Sequence, residues 1–244
     1  LHKILFICFI VLLSFSSIDS LQLKNEFFRA KAGDYLVFEQ DRLITLMLIN
    51  SKTDALLTVE EITITEKKWN SLQKPKPINW KNWINNKAPK NNSWIIYELN
   101  LNTGNILRAY SYSNHCKVER SAEDNFLSTL LNLQFNKISL DDRKKIGIPP
   151  PSGEKDKRSL WNPPLIFEGQ TIPYVKFEAF KARWPKDSSP LSHALIEMYL
   201  PIGLVDFPNY FPYWLQVSDQ FTKAKLHIID SGSNMQSAYS ELPF

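Results

Sequence analysis

Leu56-Leu57-Thr58-Val59-Glu60-Glu61-Ile62-Thr63-Ile64-Thr65 alternates in the two-residue repeat of a β-strand. Leu57, Val59 and Glu61 fall on one side, while Thr58, Glu60, Ile62 and Ile64 fall on the other, so the apolar side changes partway. A change of this kind predicts a bulge, or a strand passing from core to edge. Just upstream, Leu43 to Ile49 is nearly all apolar, as in a strand buried on both faces. Tyr35-Leu36-Val37-Phe38-Glu39 follows the turn signal Gly33-Asp34 and makes a third strand.

Working outward, Trp94–Leu99 and Ile106–Tyr112 flank the turn Asn100-Leu101-Asn102-Thr103-Gly104 and make the clearest hairpin, with Tyr110 and Tyr112 on one face. Pro75 and Pro77 interrupt the segment before it, and Ile78 to Asn85 fits two helical turns with Trp80, Trp83 and Ile84 on one side. A helix over 121–137 opens on the cap-like Ser121-Ala122-Glu123-Asp124, and Phe126, Leu127, Leu130, Leu131 and Gln134 follow at helical spacing. A second short helix is expected from Leu140 to Ile146, with Asp141 and Asp142 in its first turn. Residues 147–164 hold Pro149-Pro150-Pro151 and two further prolines, and read as an exposed loop or linker. Strands resume at Leu165–Glu168, Tyr174–Trp184, Ala194–Leu200, Tyr213–Val217 and Leu226–Ile229, and Ser231 to Phe244 reads as a polar tail.

The fold expected is mainly β (α+β): a curved antiparallel sheet, half-barrel or sandwich of about eight to ten strands with one principal helix packed on it. The division is residues 1–20 as a leader, 21–146 as a β-rich region with the 121–137 helix, 147–164 as loop or linker, and 165–244 completing the same domain. The leader reading comes from the basic His2-Lys3, the uncharged run Ile4 to Leu13 and the small polar residues Ser14 to Ser20, the order of a secretory signal peptide. The apolar run is about half of the ~20 residues that span a bilayer as a helix, so export with cleavage is favoured over an uncleaved anchor.

Composition narrows the function classes. Lys and Arg (29) exceed Asp and Glu (25) only slightly and are scattered, with short runs such as Lys67-Lys68 and Lys144-Lys145, which excludes a nucleic-acid surface. Two cysteines occur, and Cys8 sits in the leader, so the processed chain forms no internal disulfide. Four histidines and one remaining thiol give a zinc site almost nothing to build on. The seven glycines form no phosphate-binding loop, and the zinc-protease and serine-hydrolase signatures are absent. No metal, cofactor or catalytic residue is assigned.

Each candidate for chemistry has a plainer structural account. Ile228-Ile229-Asp230-Ser231-Gly232-Ser233 resembles the aspartic-protease motif over six residues, but no second Asp-Thr/Ser-Gly occurs, and a strand ending in a polar turn explains it. His115-Cys116 supplies a base and a thiol, but neighbours in an extended chain point to opposite faces, and a lone thiol is usually buried as a small apolar residue. The carboxylate pairs Glu60-Glu61, Glu123-Asp124 and Asp141-Asp142 read as solvated surface. Asn91-Asn92-Ser93 matches a glycosylation sequon in a chain where Asn is common.

The densest unusual segment is Phe207-Pro208-Asn209-Tyr210-Phe211-Pro212-Tyr213-Trp214, in which all residues but one are aromatic or proline. Pro208 and Pro212 suit a rim or edge better than a sheet centre. Phe207, Tyr210, Phe211, Tyr213 and Trp214 are therefore candidate ligand contacts, with Trp80 and Trp83 as a second cluster for the same cleft. The expected role is that of an exported, non-catalytic binding protein for an apolar or amphipathic ligand or an envelope protein partner, with peripheral membrane contact as a further option. The alternatives are a hydrolase with dispersed acids and a structural or adhesion component. A closed apolar pocket beside the aromatics favours binding, and a polar cleft with converged acids favours the enzyme.

Overall fold

The computed structural model describes residues 20–118, 126–203, 206–219, 223–239 and 243. Residues 1–19 of the expected leader, with Cys8, and the cap-like Ser121-Ala122-Glu123-Asp124 lie outside the described residues. The chain runs β1 (Ser20–Leu21), α1 (Leu23–Glu26), β2 (Tyr35–Gln40), β3 (Leu43–Lys52), β4 (Leu56–Thr65), α2 (Glu66–Leu72), α3 (Trp80–Asn85), β5 (Ser93–Asn100), β6 (Asn105–Ser111) and β7 (Cys116–Lys117). It continues through α4 (Phe126–Asn132), β8 (Phe135–Lys137), β9 (Leu165–Phe167), β10 (Gln170–Ile172), β11 (Phe177–Arg183), β12 (Leu195–Pro201), β13 (Trp214–Ser218) and β14 (Lys223–Gly232).

Twelve of these strands form one antiparallel sheet in the order β1-β8-β11-β12-β13-β14-β2-β3-β4-β5-β6-β7, and β9 and β10 make a separate hairpin. The fold is mostly β with short helices, larger than the eight to ten strands expected because β1, β7 and β8 are two or three residues long and carry no readable alternation. The two outermost strands, β1 and β7, are each two residues long, which leaves little edge open to pairing. Strands on either side of the proline-rich stretch share the sheet: β14 pairs β2, from Gly232 opposite Tyr35 to His227 opposite Glu39.

The sheet is covered on both faces. On one face Leu36, Met47, Leu57, Val59, Tyr97 and Leu99 join Met198, Tyr213, Leu215 and Ile228 in a single large core with Leu23 of α1 and Leu130 and Leu131 of α4. On the other, Val37, Leu46, Leu48, Ile62, Ile64, Trp94 and Ile96 pack under Trp80, Trp83 and Ile84 of α3. The change of apolar side along β4 follows from this. Leu57 and Val59 enter the first core, and Ile62 and Ile64 enter the second. β4 itself pairs with β5 without interruption, and the bulge lies in β3 between Ile49 and Ser51.

Three expected elements are corrected. The helix placed over 121–137 ends at Asn132, whose carbonyl accepts from Gln22 Nε2 at 3.0 Å; Phe135–Lys137 is strand because it pairs with β1 and β11. Residues 140–146 form no helix. Asp142 N–H turns back to the Ser139 carbonyl, and Lys145 then bridges Leu160. The tail expected to be polar is packed: Met235 is buried, and Tyr239 stacks on Tyr112 at 4.0 Å and meets Trp94 edge-on at 4.8 Å.

Candidate functional site

A cleft of about 1080 Å³ lies beside the start of β11. Ile138, Ser139 and Leu140 form one wall and Tyr174 to Ala179 another, with Leu160, Asn162 and Ile202 completing it. The wall exists because Ile138 N–H donates to Ala179 O at 2.8 Å, carrying the β8–β11 pairing one residue further before the chain turns at Ser139. Leu140, Tyr174 and Ile202 leave apolar surface exposed at this cleft, Tyr174 completely so. At the polar end is Arg143, only 8% exposed. Its Nη1 donates to Phe177 O at 2.9 Å and its Nη2 to Asn162 Oδ1 at 2.6 Å, while Nε is buried with no hydrogen-bond partner. Lys137 is held by Glu178 on the same cleft.

The next residue along the chain fills an aromatic box. Trp161, Tyr199 and Trp214 meet edge-on in all three pairings, with centroids 5.0–5.5 Å apart. Lys144 Nζ stands 3.5 Å above the Trp214 ring and 3.2 Å from Glu197 Oε1. Tyr199 and Trp214 are opposite one another on β12 and β13, so both project from the same side of the sheet. Trp161 arrives from the proline-rich segment and Lys144 from just before it, the two fixed by Trp161 N–H to Lys144 O at 2.8 Å and Ile146 N–H to Ser159 O at 2.9 Å. Burial lowers the Lys144 pKa against the opposing pull of Glu197, and burial with Glu197 nearby pushes the Tyr199 hydroxyl up to about 12. This box is a clamp that holds the segment down and leaves Arg143 facing the cleft floor at Phe177, with Tyr199 as the shared residue: the Arg143 guanidinium lies 5.4 Å from its ring centroid.

The aromatic residues expected to line a joint cleft do not meet. Tyr210, Phe211 and Tyr213 are buried in the large core, where Phe27 packs on Tyr210 and Phe211 at 5.3 and 6.0 Å. Trp80 and Trp83 are buried in the other core, with Trp69 stacked on Trp80 at 3.7 Å. The sheet lies between the two clusters. Its two faces each need large side chains, and that demand takes up the rings. Phe207 alone is half-buried; it packs on Phe167 and lines a small pocket of about 270 Å³ with Asp34 and Asn209. Trp214 belongs to the Lys144 box.

The motif candidates have structural duties. Asp230 lies inside β14, beyond a bulge, and its Oδ1 accepts from Gly169 N–H at 3.0 Å and Ser231 N–H at 2.9 Å. Ser231 Oγ donates to Ile166 O at 2.6 Å, so the two side chains pin the β9–β10 hairpin to the sheet. Burial raises the Asp230 pKa against those two backbone donors. Cys116 is exposed in β7, the last strand of the sheet among the described residues, and not buried as expected. Glu60 and Glu61 do point to opposite faces, but Glu60 is fully buried instead of solvated. Its carboxylate accepts from Asn50 Nδ2 at 2.5 Å and Trp94 Nε1 at 2.9 Å, and burial raises its pKa against these donors and Ser237. Glu61 accepts from the Tyr97 hydroxyl at 2.6 Å.

Among the described residues no three His, Cys, Asp or Glu side chains converge as metal ligands, and no helix is long and apolar enough to cross a membrane. Sequence reasoning missed Arg143, Lys144, Trp161 and Tyr199. The one available signal was Trp161, an isolated aromatic inside a proline-rich segment otherwise read as exposed.

No curated protein matches the chain. A solved structure at 2.0 Å resolution, of the hypothetical protein CT021 from Chlamydia trachomatis, is similar over 92% of this chain and 98% of that one, with 20% identity and a TM-score of 0.62. That likeness concerns the fold. In sequence, the profile of the CT021 protein family matches residues 45–173, more than half of the chain, and the chain therefore belongs to the CT021 protein family.

Proposed function

We propose that the protein is an exported, non-catalytic binding protein whose cleft beside β11 takes an apolar or amphipathic ligand. The observation that carries the reading is the cleft itself. Its volume of about 1080 Å³ lies just above the ~300–1,000 Å³ usual for small-molecule sites. Ile138, Leu140, Leu160, Val175, Phe177 and Ile202 supply an apolar lining, and Arg143 and Asn162 are polar groups that fix an orientation. Exposed apolar side chains at a cleft, here Leu140, Tyr174 and Ile202, suit a ligand that brings its own apolar surface. Export rests on the order of residues 1–20.

The test uses 1-N-phenylnaphthylamine, an uncharged apolar fluorophore, titrated into the purified protein. Saturable emission enhancement with one site per chain is expected. Leu140→Asp with Ile202→Asp places charge at two partly exposed lining positions and should weaken binding at least tenfold without moving the unfolding transition. Absence of saturable binding, or equal binding by the folded double variant, overturns the proposal.

A further inference from the structure

Arg143 is the one buried cation among the described residues. The buried acids have local answers: Glu26 is paired with Arg29 at 2.6 Å, and Asp34, Glu60 and Asp230 accept from backbone or side-chain donors. Among the described residues Arg143 has no carboxylate partner. Its two hydrogen bonds go to a backbone carbonyl and an amide oxygen, both neutral, and its Nε–H has no acceptor. Glu197 is taken by Lys144, and Glu178 by Lys137. A guanidinium removed from water needs a counter-charge, or it remains a net cost to the fold. The face of Tyr199 offsets part of that cost. The remainder points to a partner that the described residues do not supply.

Resting on the cleft reading above, we infer that the ligand is a single-chain amphiphile with an anionic oxyacid head, a carboxylate or a phosphate monoester, and that Arg143 supplies its counter-charge. The guanidinium has five N–H donors in a planar fork that matches either head in a two-point contact. Only two donors are engaged, and Asn162, the acceptor at Nη2, is an exposed side chain that an incoming oxyanion can replace. Lys176 lines the same cleft and adds positive charge on the approach. The apolar lining then takes the hydrocarbon chain, from Ile138 and Phe177 towards Leu140 and Ile202. Arg143 thereby sets specificity for the head, and the apolar walls set affinity for the chain.

The experiment is displacement of 1-N-phenylnaphthylamine by dodecanoate, dodecyl phosphate and 1-dodecanol, compounds that share one chain length and differ in the head. The wild-type protein should prefer at least one of the two anions over the alcohol by tenfold or more; the anion preferred identifies the head. Arg143→Gln should bring acid and alcohol within about twofold, and Arg143→Lys should keep part of the preference. Arg143 also anchors residues 139–164, and if the Gln variant fails to fold, the wild-type anion-to-alcohol ratio and its loss in 1 M KCl still decide. Fluorophore binding with equal displacement by all three compounds overturns the anionic head and leaves the apolar cleft standing. Failure of the fluorophore to bind at all overturns both.

Discussion

Gly232→Ala tests the seam that joins the two runs of the chain into one sheet. Gly232 stands opposite Tyr35 across the β14–β2 pairing, and a Cβ added there would lie 2.4 Å from Tyr35 Cε1 and 2.5 Å from Cζ and the hydroxyl oxygen. Non-bonded carbons settle at ~3.5–4.0 Å, so the ring must retreat by about 1 Å. Tyr35 is only 3% exposed and packs in the smaller core, which leaves the ring little freedom to do so. Overpacking of this kind costs ~1–3 kcal/mol. The loss of unfolded-chain entropy on Gly→Ala returns ~0.4–1 kcal/mol. A net loss of about 1–2 kcal/mol corresponds to a melting temperature lowered by roughly 2–8 °C for a chain of this size. In a Tyr35→Leu background the obstructing ring is gone, and Gly232→Ala should be neutral or stabilising. Urea midpoints for wild type, both single variants and the double variant measure the coupling, expected at ~1–3 kcal/mol and favourable to the double variant. An equal cost of Gly232→Ala in both backgrounds would refute the seam argument. So would no cost in the wild-type background.

Two further predictions concern buried carboxylates. Asp230→Ala releases the Gly169 and Ser231 N–H groups and should cost ~1–3 kcal/mol, with faster proteolysis around 168–170, whereas Asp230→Asn keeps an acceptor at Oδ1 and should cost under about 1 kcal/mol; equal effects of Ala and Asn would contradict the clasp. For Glu60, burial raises the folded-state pKa above the unfolded value, so its favourable contribution is complete below the unfolded pKa near ~4.3 and is lost as pH rises through the folded pKa. Glu60→Gln should therefore remove part of the loss of stability between about pH 4 and neutrality, read from urea midpoints across that range, and parallel wild-type and variant curves would exclude the effect.

The parts of the fold legible in the sequence are those where one physical period dominates. β2 to β6 and β11 to β13 are long enough for alternation to show, and the turn before β6 has Gly104 at φ +69°, a backbone angle that glycine adopts without strain. The failures cluster where a tertiary partner overrides a local pattern. Residues 126–137 carry a helical repeat throughout, yet Phe135–Lys137 pairs with β1 and β11, strands separated from it by more than one hundred and by about forty residues. Leu140–Ile146 has the charges of a first helical turn, but Lys145 is drawn into a bridge with Leu160. The cleft was illegible for a related reason: its walls come from residues near 138, 160, 175 and 202, and only the folded sheet brings them together.

The aromatic richness of the chain, 13% Phe, Trp and Tyr, follows from the sheet more than from ligand binding. A twelve-stranded sheet with only short helices must be covered on two faces by something else. Rings do this in three separate places: Trp69, Trp80 and Trp83 over one end, Trp94, Tyr112 and Tyr239 beneath the tail, and Trp161, Tyr199 and Trp214 around Lys144. Each set satisfies itself. Density of aromatics is therefore a poor pointer to function in this fold, and incomplete coverage is a better one. Beside the start of β11 the covering stops: Leu140, Tyr174 and Ile202 stay exposed, and Arg143 is buried with no counter-ion among the described residues. Apolar surface and a buried cation coincide there within one cleft, and the proposed anionic amphiphile would answer both.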